Sequence, residues 1–258
     1  MNPHLRVTLV QAELAWEDPA TNRRALARHF AGLAGHTDLI VLPEMFATGF
    51  TMNSAAQAED MHGPSVDWMR EEAAALSCVI TGSLVIRDGD HCYNRLLWVR
   101  PDGELAHYDK RHLFRMIGEH ENYAAGERRL DCMLKGWRVR PFICYDLRFP
   151  VWSRSPGDCD LLIYVANWPS RRHRAWSTLL RARAIENQCY VVGVNRTGRD
   201  GNGATYLGGS VALDFLGEPV SGEGDGDGVE TAVLDMASLQ AFRAGFPVHL
   251  DADRFELV

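Results

Sequence analysis

The stretch "DLLIYVAN" (residues 160–167) is apolar without interruption from Leu161 to Ala166 and then stops at Asn167. A strand with one wet face alternates apolar and polar residues, so an unbroken run requires cover on both faces. The same texture recurs in "DLIVLPE" from 38, "CVITGSLVI" from 78 and "CYVVGVNR" from 189. Further strand-like runs are "RVTLVQAE" from 6, "CYNRLLWVR" from 92, "RVRPFICYD" from 138, "GGSVALD" from 208 and "ETAVLD" from 230. Buried strands in this number demand a layered α/β architecture with helices outside. Helical patterns supply them. "PATNRRALARHFAGLAG" carries Ala25, Leu26, Phe30 and Leu33 on one stripe, "PSVDWMREEAAAL" opens with Pro64 and Ser65 as start signals, and "RRHRAWSTLLRARAIENQ" places Trp176, Leu179, Leu180 and Ala184 on one face. Asp88-Gly89 between the runs at 78 and 92 reads as a hairpin turn, so the sheet order is mixed. We expect one domain over residues 1–258, with one mixed sheet or two.

Composition removes several functions. A net charge of −7 disfavours nucleic acid as a partner, since phosphate binding needs clustered Lys and Arg. The apolar stretch near the N-terminus is too short for a signal peptide, and no segment has the length of a membrane span, so the expectation is a cytoplasmic protein. The six cysteines, Cys78, Cys92, Cys132, Cys144, Cys159 and Cys189, form no C-x-x-C pair; most sit in or beside apolar runs, as small buried hydrophobes do. Neither a disulfide framework nor a metal site is expected. "SGEGDGDG" (221–228) reads as an acidic loop, because the downstream bidentate acid of a calcium loop is missing, and "GRDGNG" reads as a turn. "NRT" at Asn195 has the form of a glycosylation acceptor but no secretory context.

Three chemically active side chains stand where apolar runs end: Glu44 after "DLIVLP", Lys110 after "ELAHYD" and Cys144 after "PFI". Strand ends are where open α/β sheets gather ligands and catalytic groups. A carboxylate to take a proton, a thiol to attack and an ammonium to hold an oxyanion form a complete set for acyl chemistry. By position alone each has a plainer reading: Cys144 as packing, Glu44 as a solvated loop acid, Lys110 as half of a solvated pair with Arg111. The ten histidines, among them His112, His120 and His173, leave a Cys–His pair equally open.

The wording of the three segments is more specific than their placement. "VLPEMFATGF", "YDKRHLF" and "ICYDLRFP" resemble, in order, the glutamate, lysine and cysteine motifs of the carbon–nitrogen hydrolase (nitrilase) superfamily, and the strand order agrees from about residue 6 to about 236. The resemblance implies a four-layer α-β-β-α sandwich with mixed sheets and a Cys144–Glu44–Lys110 triad. It implies a second glutamate in "GEHENYAAGE", for which Glu119 fits better than Glu121, to orient Lys110 or the substrate. It also implies an oxyanion hole shared by Lys110 and the Tyr145 backbone N–H, no cofactor, and assembly as a homodimer or higher homo-oligomer. Asp146 and Arg148 are expected to brace the site by pairing.

Within the superfamily, "PEMFATGFTM", "KRHLFRMIGEHENYAAGE" and "NWPSRRHRAWSTLLRARAIENQCYVVGVNR" most resemble bacterial ω-amidases. These cleave the terminal amide of small dicarboxylic monoamides such as α-ketoglutaramate. Arg171, Arg172 and Arg174 offer cations for a substrate carboxylate, with Arg172 and Arg174 preferred because both closely follow Trp168. Phe46 and Trp168 are the expected pocket walls. A nitrilase or another aliphatic amidase with the same triad is the enzymatic alternative, and a binding protein with an idle site the other.

Overall fold

In the computed structural model, which describes residues 4–155, 157–221, 226–253 and 255–256, thirteen strands are assigned. They are β1 (His4–Gln11), β2 (Leu39–Val41), β3 (Val79–Asp88), β4 (His91–Val99), β5 (Leu105–Asp109), β6 (Cys132–Leu134), β7 (Trp137–Ile143), β8 (Leu161–Ala166), β9 (Tyr190–Asn195), β10 (Thr197–Arg199), β11 (Thr205–Leu207), β12 (Val211–Leu213) and β13 (Gly228–Asp235). Two large sheets result, ordered β13-β1-β2-β3-β4-β5 and β12-β9-β8-β7-β6, with β10-β11 as a small hairpin. In the first, β1, β2 and β3 run parallel; β13 and β4 flank them antiparallel. In the second, β7, β8 and β9 are parallel and β6 and β12 close the edges antiparallel. Both sheets are therefore mixed.

The unbroken apolar runs have their cause in the layering. Successive strand residues point to opposite faces. In the first sheet Leu5, Val7, Leu9, Leu39, Val41 and Val79 face inward to a core shared with the second sheet, where they join Val139, Leu161 and Ile163. Their neighbours Val10, Ile40, Leu42 and Ile80 face outward, under Leu26 and Phe30 of the helix Pro19–His29 and Val66, Met69 and Ala73 of the helix Pro64–Leu76. The helix His173–Asn187 covers the second sheet with Trp176, Leu180 and Ala184. This is a four-layer α-β-β-α sandwich.

The 88–91 hairpin forms as the sequence predicts, with Asp88 paired to His91 and Gly89 at φ +58°. "GRDGNG" is a turn, joining β10 to β11 through Asp200, whose Oδ1 accepts the Asn202 and Ala204 N–H groups at 2.9 Å. The helix Met236–Gly245 was not expected from the sequence; the Asp235 carboxylate caps it through the Ala237 N–H at 2.9 Å, and Leu239 anchors it to the core. Of the acidic loop 221–228, residues 222–225 lie outside the described residues. Among the described residues no helix is long and apolar enough to cross a membrane.

Candidate active site

Glu44 lies just beyond β2, Lys110 just beyond β5 and Cys144 just beyond β7, so the strand-end placement brings together groups 34 to 100 positions apart in the chain. The Lys110 ammonium lies 2.9 Å from Glu44 Oε1 and 2.8 and 3.0 Å from the two Glu119 oxygens. All three side chains are buried. Burial alone would push the Lys110 pKa down, yet Glu119 and Glu44, with Cys144 behind them, outweigh it and hold the ammonium above its usual range. The Glu119 carboxyl is raised by burial and by Glu44 despite Lys110. Glu121, the alternative candidate, is exposed.

Each acid is held from several directions. Asn94 on β4 donates to Glu44 Oε1 at 2.8 Å and more weakly to Glu119 Oε1 at 3.4 Å, and its own Oδ1 accepts from Ser83 Oγ at 2.7 Å. The Phe114 N–H donates to Glu119 Oε2 at 2.5 Å, and the Asn167 N–H to Glu44 Oε2 at 2.8 Å. Gly126 seals the Lys110 strand: its N–H reaches the Lys110 carbonyl, and a Cβ there would stand 2.1 Å from the Asp109 oxygen. Ser83 and Asn94 were missed at the sequence level. Their one signal was a polar residue inside an otherwise apolar strand.

Cys144 has φ +43° and Met45, after Glu44, φ +44°, both in the left-handed region that non-glycine residues rarely occupy. At Cys144 this turns the chain sharply out of β7 into a short 3₁₀ turn, Cys144–Arg148, whose first N–H groups lack carbonyl partners within the turn. Burial and the Glu44 carboxylate push the thiol pKa well up, Lys110 opposing, so the resting group is a thiol. The fully buried Asp146 locks the turn. It accepts from Ile143 N at 3.0 Å, Tyr108 OH at 2.7 Å and His112 N at 3.0 Å, and meets His112 Nδ1 at 2.7 Å.

Cys144 opens onto a cavity of about 820 Å³, which Lys110, Asn167 and Trp168 also line. Arg148, Arg171 and Arg172 line it as well, and none of the three pairs with a carboxylate among the described residues. Arg148 lies 5.0 Å over the Trp168 ring and Arg172 5.2 Å over Phe114. The Arg172 pKa is lowered by burial and by repulsion from Arg171 and Arg148. The two acids on the rim are already engaged: Glu17 accepts from Thr51 Oγ and from Asn53 at 3.3 Å, and Asp200 from Tyr206 OH at 2.8 Å. The cavity thus presents uncompensated positive charge beside a thiol.

Residues 6–244 match the carbon–nitrogen hydrolase family. The chain belongs to that family. Over 258 residues it is 48% identical to Omega-amidase YafV of Yersinia enterocolitica, covering 98% of this chain and 99% of that protein. It is 30% identical over 250 residues to the 2-oxoglutaramate amidase of Bacillus subtilis, with 95% and 96% covered. Among solved structures, XC1258 from Xanthomonas campestris, described as a CN-hydrolase superfamily protein with an arsenic adduct in the active site, superposes with a TM-score of 0.96 at 49% identity over 99% of both chains.

This carbon–nitrogen hydrolase departs from the sequence-based expectations at four residues. Phe46 is not a cavity wall: the left-handed turn at Met45 breaks strand alternation, and Phe46 packs in the outer core 5.7 Å from Trp68. Phe50 takes the wall position, with Lys110 Nζ 4.8 Å from its ring centroid. Arg174 is exposed and outside the cavity lining, because residues two apart on a helix point away from each other, and Arg172 is the one turned inward. Asp146 and Arg148 do not pair; the former faces Tyr108 and His112, the latter the cavity. His112 is likewise committed, stacked 3.8 Å from Phe149 and bonded to Asp146.

All six cysteines of this hydrolase are free and buried, and exposure does not single out Cys144, at 8% against 9% for Cys92 and 7% for Cys132. The cavity does. Limited alkylation with iodoacetamide followed by peptide mapping is expected to label Cys144 first, because it is the one thiol among the residues that line the cavity, whereas Cys78, Cys132 and Cys159 lack an access path. First labelling of any of those three would mean that the cavity is not the reactive face.

Proposed function

We propose that this enzyme hydrolyses the terminal amide of small dicarboxylic monoamides, such as α-ketoglutaramate and succinamate, to the dicarboxylic acid and ammonia through a thioester on Cys144. Glu44 takes the Cys144 proton as sulfur adds to the amide carbonyl carbon. The oxyanion formed is held by the Lys110 ammonium and the Tyr145 N–H. Glu44 then returns the proton to nitrogen, the C–N bond breaks and ammonia leaves. In the second half Glu44 deprotonates water, which attacks the thioester and releases the acid and the thiol. Glu119 positions Lys110, and the charge it shares with Glu44 keeps that lysine a donor throughout.

The observation that carries the substrate class is the set of three unpaired arginines in the cavity that holds Cys144. A free carboxylate on the acyl chain relieves their mutual repulsion, and charge-assisted bonds of this kind are short and strong. The names of the Yersinia and Bacillus relatives support the same reading. The specificity constant for succinamate or α-ketoglutaramate is expected to exceed those for butyramide and propionitrile by about a hundredfold. Arg148→Ala and Arg172→Ala are each expected to raise KM for succinamate about tenfold or more while leaving butyramide unchanged. Equal turnover of butyramide and succinamate by the unmodified chain would discard the carboxylate reading and leave a general amidase. Assembly into a homo-oligomer is part of this proposal, and light scattering on the eluting protein reads it.

A further inference from the structure

Asn167 follows directly on β8 and is 3% exposed, yet it lines the cavity. Its main-chain N–H donates to Glu44 Oε2 at 2.8 Å and its side-chain Nδ2 to the Glu44 carbonyl at 2.5 Å. The second bond fixes which end of the amide is which, since only nitrogen can donate to a carbonyl. The Oδ1 atom is then left buried with no hydrogen-bond partner. Such orphans are uncommon and costly in native folds, and each calls for a physical reason. Looseness is not the reason here: the next residue, Trp168, is pinned through its N–H to Asn195 Oδ1 at 2.7 Å and through its carbonyl to Asn195 Nδ2 at 3.0 Å.

We infer that Asn167 Oδ1 is the acceptor for an N–H of the scissile amide, turning the substrate nitrogen toward Glu44. The chemistry of the step fits an unpaired acceptor at this point. A primary amide brings two N–H donors, and its nitrogen gains a third as Glu44 protonates it on the way to ammonia. The donors become stronger as positive charge builds on nitrogen, so the contact tightens in the transition state and favours turnover over mere binding. An ester oxygen or a nitrile nitrogen at the same place has no hydrogen to offer and would set a lone pair against Oδ1. The residue would thus select amides from their oxygen and nitrile counterparts.

This inference rests on the amide-hydrolysing reading above, and the test separates the two. Turnover of succinamate is compared with that of monomethyl succinate in the unmodified chain, in Asn167→Ser and in Asn167→Ala. Displacing Glu44 would slow the amide more than the ester, since a departing amine needs its proton more than a departing alkoxide does. A fall in the amide-to-ester ratio of specificity constants therefore counts for the Oδ1 contact only where the amide-to-ester affinity ratio on the Cys144→Ala background, in which no leaving group departs, falls with it. The ratio of specificity constants is expected to fall between about tenfold and a hundredfold in both variants. An unchanged ratio overturns the role of Asn167 even if both rates drop. If the variants do not fold, equilibrium binding to the Cys144→Ala chain decides: succinamate is expected to bind at least about tenfold more tightly than the methyl ester, and equal affinities overturn the inference. Should the carboxylate preference fail, butyramide and methyl butyrate replace the pair with the same expected ratio. A chain that releases ammonia from neither amide overturns both readings.

Discussion

Cys144→Ala is expected to bring ammonia release down to background, a loss on the order of a million-fold, with the thermal midpoint near that of the parent chain. The two halves of that outcome have separate causes. Cys144 is the one thiol among the described residues that line the cavity, and His112, the nearby imidazole, lies outside that lining and is committed to Asp146. The structural loss is small because only one sulfur atom is removed and the turn that carries it is held by Asp146, through Ile143 N and Tyr108 OH, independently of the side chain. Turnover by Cys144→Ala within about tenfold of the parent would end the thioester mechanism.

Lys110→Ala is expected to damage folding and chemistry together. Removing the ammonium leaves the Glu44 and Glu119 carboxylates facing each other without the cation that bonds to both. Breaking a buried charge arrangement in this way costs about 3–5 kcal/mol, and loss of an oxyanion donor lowers kcat by about a hundredfold to a thousandfold. The sign of the pH effect follows from the proton count. With the lysine gone, the folded chain keeps a carboxyl protonated at a pH where the unfolded chain has released it, so stability is present at low pH and is lost as pH rises through the elevated folded pKa. Urea midpoints for the variant should therefore climb from pH 8 to pH 5 more steeply than for the parent. Parallel slopes would show that Lys110 is not what compensates the two acids. Lys110→Arg keeps the charge and is expected to recover most of the stability but little of the turnover, since the planar guanidinium cannot replace a compact ammonium at 2.8 and 2.9 Å from two carboxylates.

The sheet layering was legible because runs such as Leu161–Ala166 admit no other burial, and Glu44, Lys110 and Cys144 stood out because each follows such a run. What escaped depends on geometry that periodicity does not encode. Phe46 and Phe50 could not be told apart without the left-handed turn at Met45. Ser83 and Asn94 gain their meaning only from the pairing of β3 with β4, which turns Asn94 onto Glu44 and Ser83 onto Asn94 and the Met45 N–H. Arg148 and Arg174 exchanged places because the sequence distance to Trp168 was used where the direction of the chain decides. Asn167 was visible only as the residue that ends an apolar run; its orphan oxygen is a fact of three dimensions.

Glu44 is gripped from two sides: Asn94 belongs to the first sheet, and Asn167 closes a strand of the second. Tyr108 and Asp146 repeat the arrangement, the first on β5 and the second just past β7. Glu44 and Cys144 therefore have no fixed relation to each other until the two halves of the sandwich have closed in register. Activity is in this sense a gauge of assembly. A molecule with one sheet formed and the other adrift carries the same side chains but does not hold Glu44, Lys110 and Cys144 together.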